Sequence, residues 1–98
     1  MTQFEARVYQ IVKKIPKGKV LTYKQVAEKL GNKNLARAVG NALNKNRDLR
    51  VPCRRVIKSD GQIGGYNRGR REKIRLLKRE GVRIEEGEIE YKKIPDSN

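Results

Sequence analysis

The sequence contains no histidine, no tryptophan and only one cysteine, Cys53. A lone cysteine excludes an internal disulfide. Without histidine it also excludes a structural zinc site. No metal and no organic cofactor is expected. Acidic residues are few: 11 Asp and Glu stand against 25 Lys and Arg, a formal net charge of +14. There is no apolar run of membrane-spanning length, and Met1 is followed by polar and acidic residues rather than a signal sequence. A cytoplasmic protein is expected. With 98 residues, 36% of them hydrophobic, the chain supports one domain over residues 1–98, with a small core. Monomer is the default.

What is abundant is positive charge. An excess of this size attracts polyanions and speeds encounter with them, so nucleic acid is the leading partner. A membrane surface fits less well, because short core-type helices claim the apolar residues.

Phe4, Val8, Ile11, Val12 and Ile15 recur on one helical face, and Pro16-Lys17-Gly18 ends that segment. Lys19-Val20-Leu21 is extended. A second helix follows Thr22, whose spacing to Gln25 is that of a capping box, and Gly31 stops it. A third helix over about Leu35 to Asn44 carries the core stripe Leu35, Ala38, Val39, Ala42 and Leu43. Two short amphipathic helices across a tight Gly/Asn turn read as helix-turn-helix, with the second as recognition helix. Its outward face holds Ala36, Arg37, Gly40 and Asn41. Small residues there admit DNA closely and Arg37 can reach a groove; the same residues would also serve close helix packing.

Downstream, Ser59-Asp60-Gly61 is a turn signal. Gln62 to Tyr66 returns as a second strand or a loop. Arg70 to Glu80 is a fourth helix with Ile74 and Leu77 inward and Gly81 as its stop. Val82-Arg83-Ile84 and Glu88 to Tyr91 form a small terminal hairpin, and Lys92 to Asn98 fray. The fold class is mainly α with short β hairpins, a winged helix-turn-helix-like domain.

A lone cytosolic cysteine is usually a small buried hydrophobe. Cys53, however, follows Pro52 and precedes Arg54 and Arg55. Neighbouring cations favour the thiolate, which is the nucleophile, over a free thiol whose pKa is about 8.5. On a strand, alternating side chains would leave Arg54 turned away from the sulfur.

Pro52-Cys53-Arg54-Arg55-Val56 resembles Pro-Cys-His-Arg-Val, the hallmark of the 6-O-alkylguanine-DNA alkyltransferases. Thr22-Tyr23-Lys24-Gln25-Val26-Ala27 resembles the start of that family's helix-turn-helix, and Ala36-Arg37-Ala38-Val39-Gly40 its recognition helix. Asn46 falls where the family has a hinge Asn. Gly64-Gly65-Tyr66 resembles the substrate loop, and Leu76 to Gly81 the late helix with its buried acid. Order and spacing agree over about residues 4 to 90.

The resemblance implies repair of double-stranded DNA containing alkylated guanine. The base is flipped out and its alkyl group moves irreversibly to Cys53. It further implies that Arg37 replaces the flipped base, and that Tyr23 crowds the neighbouring phosphate and assists the leaving guanine. Thr22, Lys24, Asn32 and Ser59 would hold the DNA backbone. Ile63, Gly64, Gly65, Tyr66 and Asn67 would wall the base pocket. Asn46 would brace the active-site turn, and Glu80 would anchor the network behind the thiol. Taken singly, each has a plainer reading: Tyr23 a packed aromatic, Arg37 a solvated cation, Asn46 a helix C-cap, Ser59 a turn residue, Glu80 a partner of Lys78 or Arg79.

Three departures stand out. Arg54 replaces the family's His, and a guanidinium stays protonated, so it cannot act as a base; pairing with Glu80 is expected instead. Asn46 to Cys53 is one residue short, with Arg47 where Pro is common. No N-terminal accessory domain is expected. In that last respect the chain resembles the single-domain alkyltransferase-like proteins, which lack the cysteine.

Overall fold

The computed structural model describes residues 1–85 and 88–89. Helix α1 spans Gln3–Lys13. Thr2 and Glu5 close a capping box at its start: Thr2 Oγ1 accepts from the Glu5 amide (3.0 Å) while Glu5 accepts from the Thr2 amide (2.9 Å). Strand β1, Leu21–Thr22, runs directly into helix α2, Tyr23–Lys29. Thr22 and Gln25 form the expected box (3.0 and 2.8 Å). Gly31, at φ 98, ends α2 in the left-handed region that favours glycine. A 3-10 turn at Lys33–Leu35 leads into helix α3, Ala36–Lys45.

These three helices share one core. Val8, Val12, Val26, Val39 and Val56 are fully buried in it, and Cys53 lies at its edge. Each such valine contributes about 2 kcal/mol of apolar burial. Tyr9 adds a polar tie, its hydroxyl donating to the Ala42 carbonyl at 2.6 Å. A second, smaller core gathers Val20, Ile57, Ile63, Leu77 and Val82 under helix α4, Arg70–Arg79.

Strand β2, Val56–Ile57, joins the two cores. It pairs with β1 in parallel, Leu21 opposite Val56 and Thr22 opposite Ile57. The open choice for Gln62 to Tyr66 therefore resolves as a loop. Lys58 N donates to Gln62 O (3.0 Å), one bridge rather than a ladder, and Gly61 (φ 90) and Gly64 (φ 77) turn the chain away from β2. The antiparallel pair is terminal, β3 (Ile84–Glu85) with β4 (Glu88–Ile89). The predicted hairpin is present, but its first strand starts at Ile84 rather than Val82, which is buried in the second core; Glu90 and Tyr91 of the predicted second strand lie outside the described residues, as do Lys92 to Asn98. Among the described residues no helix is long and apolar enough to cross a membrane.

Candidate active site and DNA-facing helix

The parallel strand pair sets the site. β1 delivers Tyr23 at the start of α2, and β2 is entered directly from a 3-10 turn, Cys53–Arg55. The turn corrects the strand geometry expected for Cys53 and its neighbours. Because Pro52 has no amide to donate and the Arg55 amide bonds the Pro52 carbonyl (2.9 Å), the chain coils here instead of alternating. Arg54 and Arg55 consequently turn to the same acceptor.

That acceptor is Glu80, the C-cap residue of α4. Arg54 donates to Oε2 from Nε (2.9 Å) and Nη2 (2.7 Å). Arg55 donates to Oε1 from Nε (3.0 Å) and to Oε2 from Nη2 (2.8 Å), and also reaches the Ile15 carbonyl (2.7 Å). Only 8% of the Glu80 side chain is exposed. Burial pushes its pKa up, but the hydrogen bonds from Arg55 and Arg54 outweigh this and hold the carboxyl below its ordinary value. Glu80 is thus no surface partner of Lys78 or Arg79.

On the other side of the turn, Asn46 closes α3 and is buried. Its Nδ2 donates to Cys53 Sγ at 3.1 Å and to the Asp48 carbonyl at 2.9 Å. Its own carbonyl accepts from Asn67 Nδ2 at 2.6 Å. Asn46 is both a helix cap and a brace joining α3, the cysteine and the loop before α4. Cys53 Sγ also lies 3.8 Å from the Leu43 carbonyl.

The thiol opens onto a cavity of about 250 Å³ lined by Tyr23, Gly40, Asn41, Asn44, Gly65, Tyr66 and Asn67 together with Cys53. Gly40 faces the Tyr23 ring, as does Gly64, where a Cβ would sit 3.3 Å from the Tyr23 hydroxyl oxygen and the φ of 77 strains any other residue. Ile63 departs from its expected place as a pocket wall. It is fully buried in the second core, because the turn at Gly61 and Gly64 directs it inward. Gly64 stands behind Tyr23 rather than on the lining.

The expected cation effect on the thiol is outweighed. Burial pushes the Cys53 pKa up, and the Asn46 hydrogen bond, its own backbone N–H and the charges of Lys73 and Arg54 offset this only in part. Tyr23 is likewise raised, by burial first and by Cys53 second.

Arg37 lies exposed on α3 beside the pocket mouth residue Asn41, and Lys24 is exposed on α2. Asn32 caps the 3-10 turn between the helices, accepting from the Asn34 amide at 2.9 Å. Ser59 is exposed in its turn. Thr22 is buried and spent on its capping box.

This constellation matches one family. The family described as 6-O-methylguanine DNA methyltransferase, DNA binding domain, covers residues 3–82. The chain belongs to it. It is 54% identical over 84 residues to a methylated-DNA--protein-cysteine methyltransferase of Saccharolobus islandicus, covering 85% of this chain and 54% of that protein. A bifunctional methyltransferase/endonuclease of Picrophilus torridus is 42% identical over 92 residues, 93% of this chain and 31% of that protein. The chain therefore spans between about a third and about half of these curated relatives. Two solved structures are similar. S. pombe Atl1 in complex with damaged DNA containing O6-carboxymethylguanine superposes with a TM-score of 0.85 at 33% identity, over 98% of this chain and 97% of that one. The O6-methylguanine-DNA methyltransferase of Pyrococcus kodakaraensis gives 0.75 at 43% identity, over 84% and 48%.

Within this methyltransferase-family domain, three contributors escaped sequence reasoning. Asn44 joins the pocket from the last turn of α3, where it reads as an ordinary helix-end residue. Arg55 shares Glu80 with Arg54, a pairing invisible until the turn geometry is known. Lys73 reads as one more surface cation, yet it is fully buried.

Proposed function

We propose that this chain repairs duplex DNA by moving the alkyl group of a 6-O-alkylguanine to Cys53, one group per protein molecule. The observation that carries this reading is the Asn46-braced thiol at the edge of a base-sized cavity beside the exposed face of α3. Arg37 fills the gap left by the flipped base, at an unstacking cost of a few kcal/mol. Tyr23 lies against the neighbouring phosphate and assists the departing guanine. Lys24, Asn32 and Ser59 hold the backbone, and Gly65, Tyr66 and Asn67 bound the base. The sulfur lone pair forms the S–C bond, the C–O bond breaks, and its electrons leave with the guanine, which takes up a proton. Arg54 and Glu80 fix the turn that presents the sulfur.

A second reading, binding of the lesion with little transfer, is favoured by one observation: burial holds the Cys53 thiol in its protonated form, and Arg54 cannot relieve it of that proton. Intact mass after incubation with a duplex carrying one 6-O-methylguanine separates the two. A single added methyl, absent in Cys53→Ala, is expected. Lesion-selective binding without an adduct would establish the second reading, and equal binding to undamaged duplex would overturn both.

A further inference from the structure

Lys73 is the largest fully buried side chain among the described residues. A lysine ordinarily extends its amine to water along an apolar stem; this one does not. Its Nζ donates to the Val56 carbonyl (2.7 Å) and the Gly65 carbonyl (3.1 Å), and stands 5.8 Å from the centre of the Tyr23 ring. One of these neighbours adjoins the Cys53 turn, and the other two belong to the reactive pocket. Tyr23 and Gly65 line it with Cys53. The Val56 amide closes the Cys53 turn by bonding the Cys53 carbonyl.

Among the described residues no carboxylate pairs with Lys73. Two carbonyls match the two N–H bonds of a neutral amine, and the Tyr23 ring face accommodates the charged form. The cage thus accepts either state. Burial pushes the amine down to about 7, while the negative charge of an ionised Cys53 pulls it back up and Arg70 pushes it further down. The other groups facing this pair are Arg54 from the active-site turn, which favours the thiolate, and three tyrosines, Tyr23 from α2, Tyr66 from the loop before α4 and Tyr9 from α1, each raised by burial first and also by Cys53. Cys53 and Lys73 are each the other's opposite charge in an enclosed space.

We propose that Lys73 is the charge partner of Cys53: the sulfur loses its proton in step with the gain of one at the Lys73 amine, so the thiolate is never left unpaired in the buried site. The S–H bond breaks with its electron pair left on sulfur, and an N–H bond forms at Nζ. A thiol beside an amine and a thiolate beside an ammonium hold the same number of protons. An ion pair is far less costly to bury than a lone thiolate. After alkyl transfer the sulfur is neutral, Lys73 gives up the proton, and the departing guanine takes one. Lys73 touches no reacting atom; it is a positioning residue for charge, and its role rests on Cys53 being the nucleophile.

The test needs no alkylguanine, so it is scored separately from the repair reading. Iodoacetamide labelling of Cys53 is followed against pH in the full chain, in Lys73→Met and in Lys73→Arg, with folding checked by circular dichroism. At pH 7 Lys73→Met should label at least about tenfold more slowly, the effect of one pKa unit on thiolate population. Lys73→Arg should recover most of the rate but lose the inflection near pH 7. A folded Lys73→Met that labels at the wild-type rate across the range overturns the proposal. Should Lys73→Met not fold, the Lys73 amine is titrated by NMR in the wild-type protein before and after capping Cys53 with iodoacetamide. Its midpoint should fall on capping, and an unmoved midpoint overturns the proposal equally.

Discussion

Helix α4 buries two charges, and they are held in opposite ways. Glu80, at its end, faces two guanidiniums that stay charged at any pH the protein will meet, and four N–H bonds meet its two oxygens. Lys73, seven residues earlier (80 − 73 = 7) and about two turns back, faces only neutral carbonyls and a ring. One charge is fixed by its surroundings and fastens α4 to the active-site turn. The other is left undecided by its surroundings and can change during a reaction. With Glu80 on the active-site turn and Lys73 on β2 and the pocket loop beside it, the task of holding Cys53 is separated from the task of charging it.

The largest effect is expected from breaking the fastened end. Glu80→Ala strands Arg54 and Arg55 in a mostly buried site and should cost about 3 kcal/mol in urea unfolding. The Glu80 pKa is lowered on folding, so its contribution is present above the ordinary value of 4.5 and is lost as pH falls through the folded value. Glu80→Gln should accordingly flatten the acid limb of the stability curve below pH 4.5. The undecided end should answer in the opposite range. With its amine at about 7 when folded and 10.5 as its ordinary value, the unfolded chain holds one more proton in that window. Wild-type stability should therefore rise with pH across it relative to Lys73→Met, by up to about 1.4 kcal/mol per pH unit, and the difference should level off below pH 7. Equal slopes in parallel urea titrations at pH 7, 8 and 9 would remove the contrast between the two ends. The smallest effect lies away from α4. Thr22→Ala opens one capping box and should cost about 1 kcal/mol, while shifting the start of α2 that carries Tyr23 and so slowing alkyl transfer.

Local chemistry explains what the sequence made legible. Thr22 with Gln25 and Gly31 mark the ends of α2 within a few residues of themselves, and the stripe on α3 repeats at helical spacing. The bracing role of Asn46 and the pairing of Arg54 with Glu80 were legible through family resemblance, whereas the hydrogen bond from Asn46 to the sulfur came only with the structure; partners 7 and 26 residues apart leave no periodic trace. Lys73 stayed hidden because its acceptors are backbone carbonyls, which every residue has. Ile63 was misplaced for a related reason: whether a residue between glycines faces a pocket or a core depends on left-handed turns at Gly61 and Gly64 that composition allows but does not require. The parallel pairing of β1 with β2 joins segments 35 residues apart (56 − 21 = 35), beyond any local signal.

That same strand pair has a consequence for the order in which the molecule comes into being on the ribosome. The first 45 residues contain all three helices of the first core and can condense through short-range contacts. The pairing of Leu21 with Val56 must wait for a long loop to close. Glu80, which locks the turn, is synthesised 27 residues after Cys53 (80 − 53 = 27). A growing chain therefore presents its helix-turn-helix before it has a pocket, and carries Cys53 for some time as an ordinary thiol on an unfinished protein.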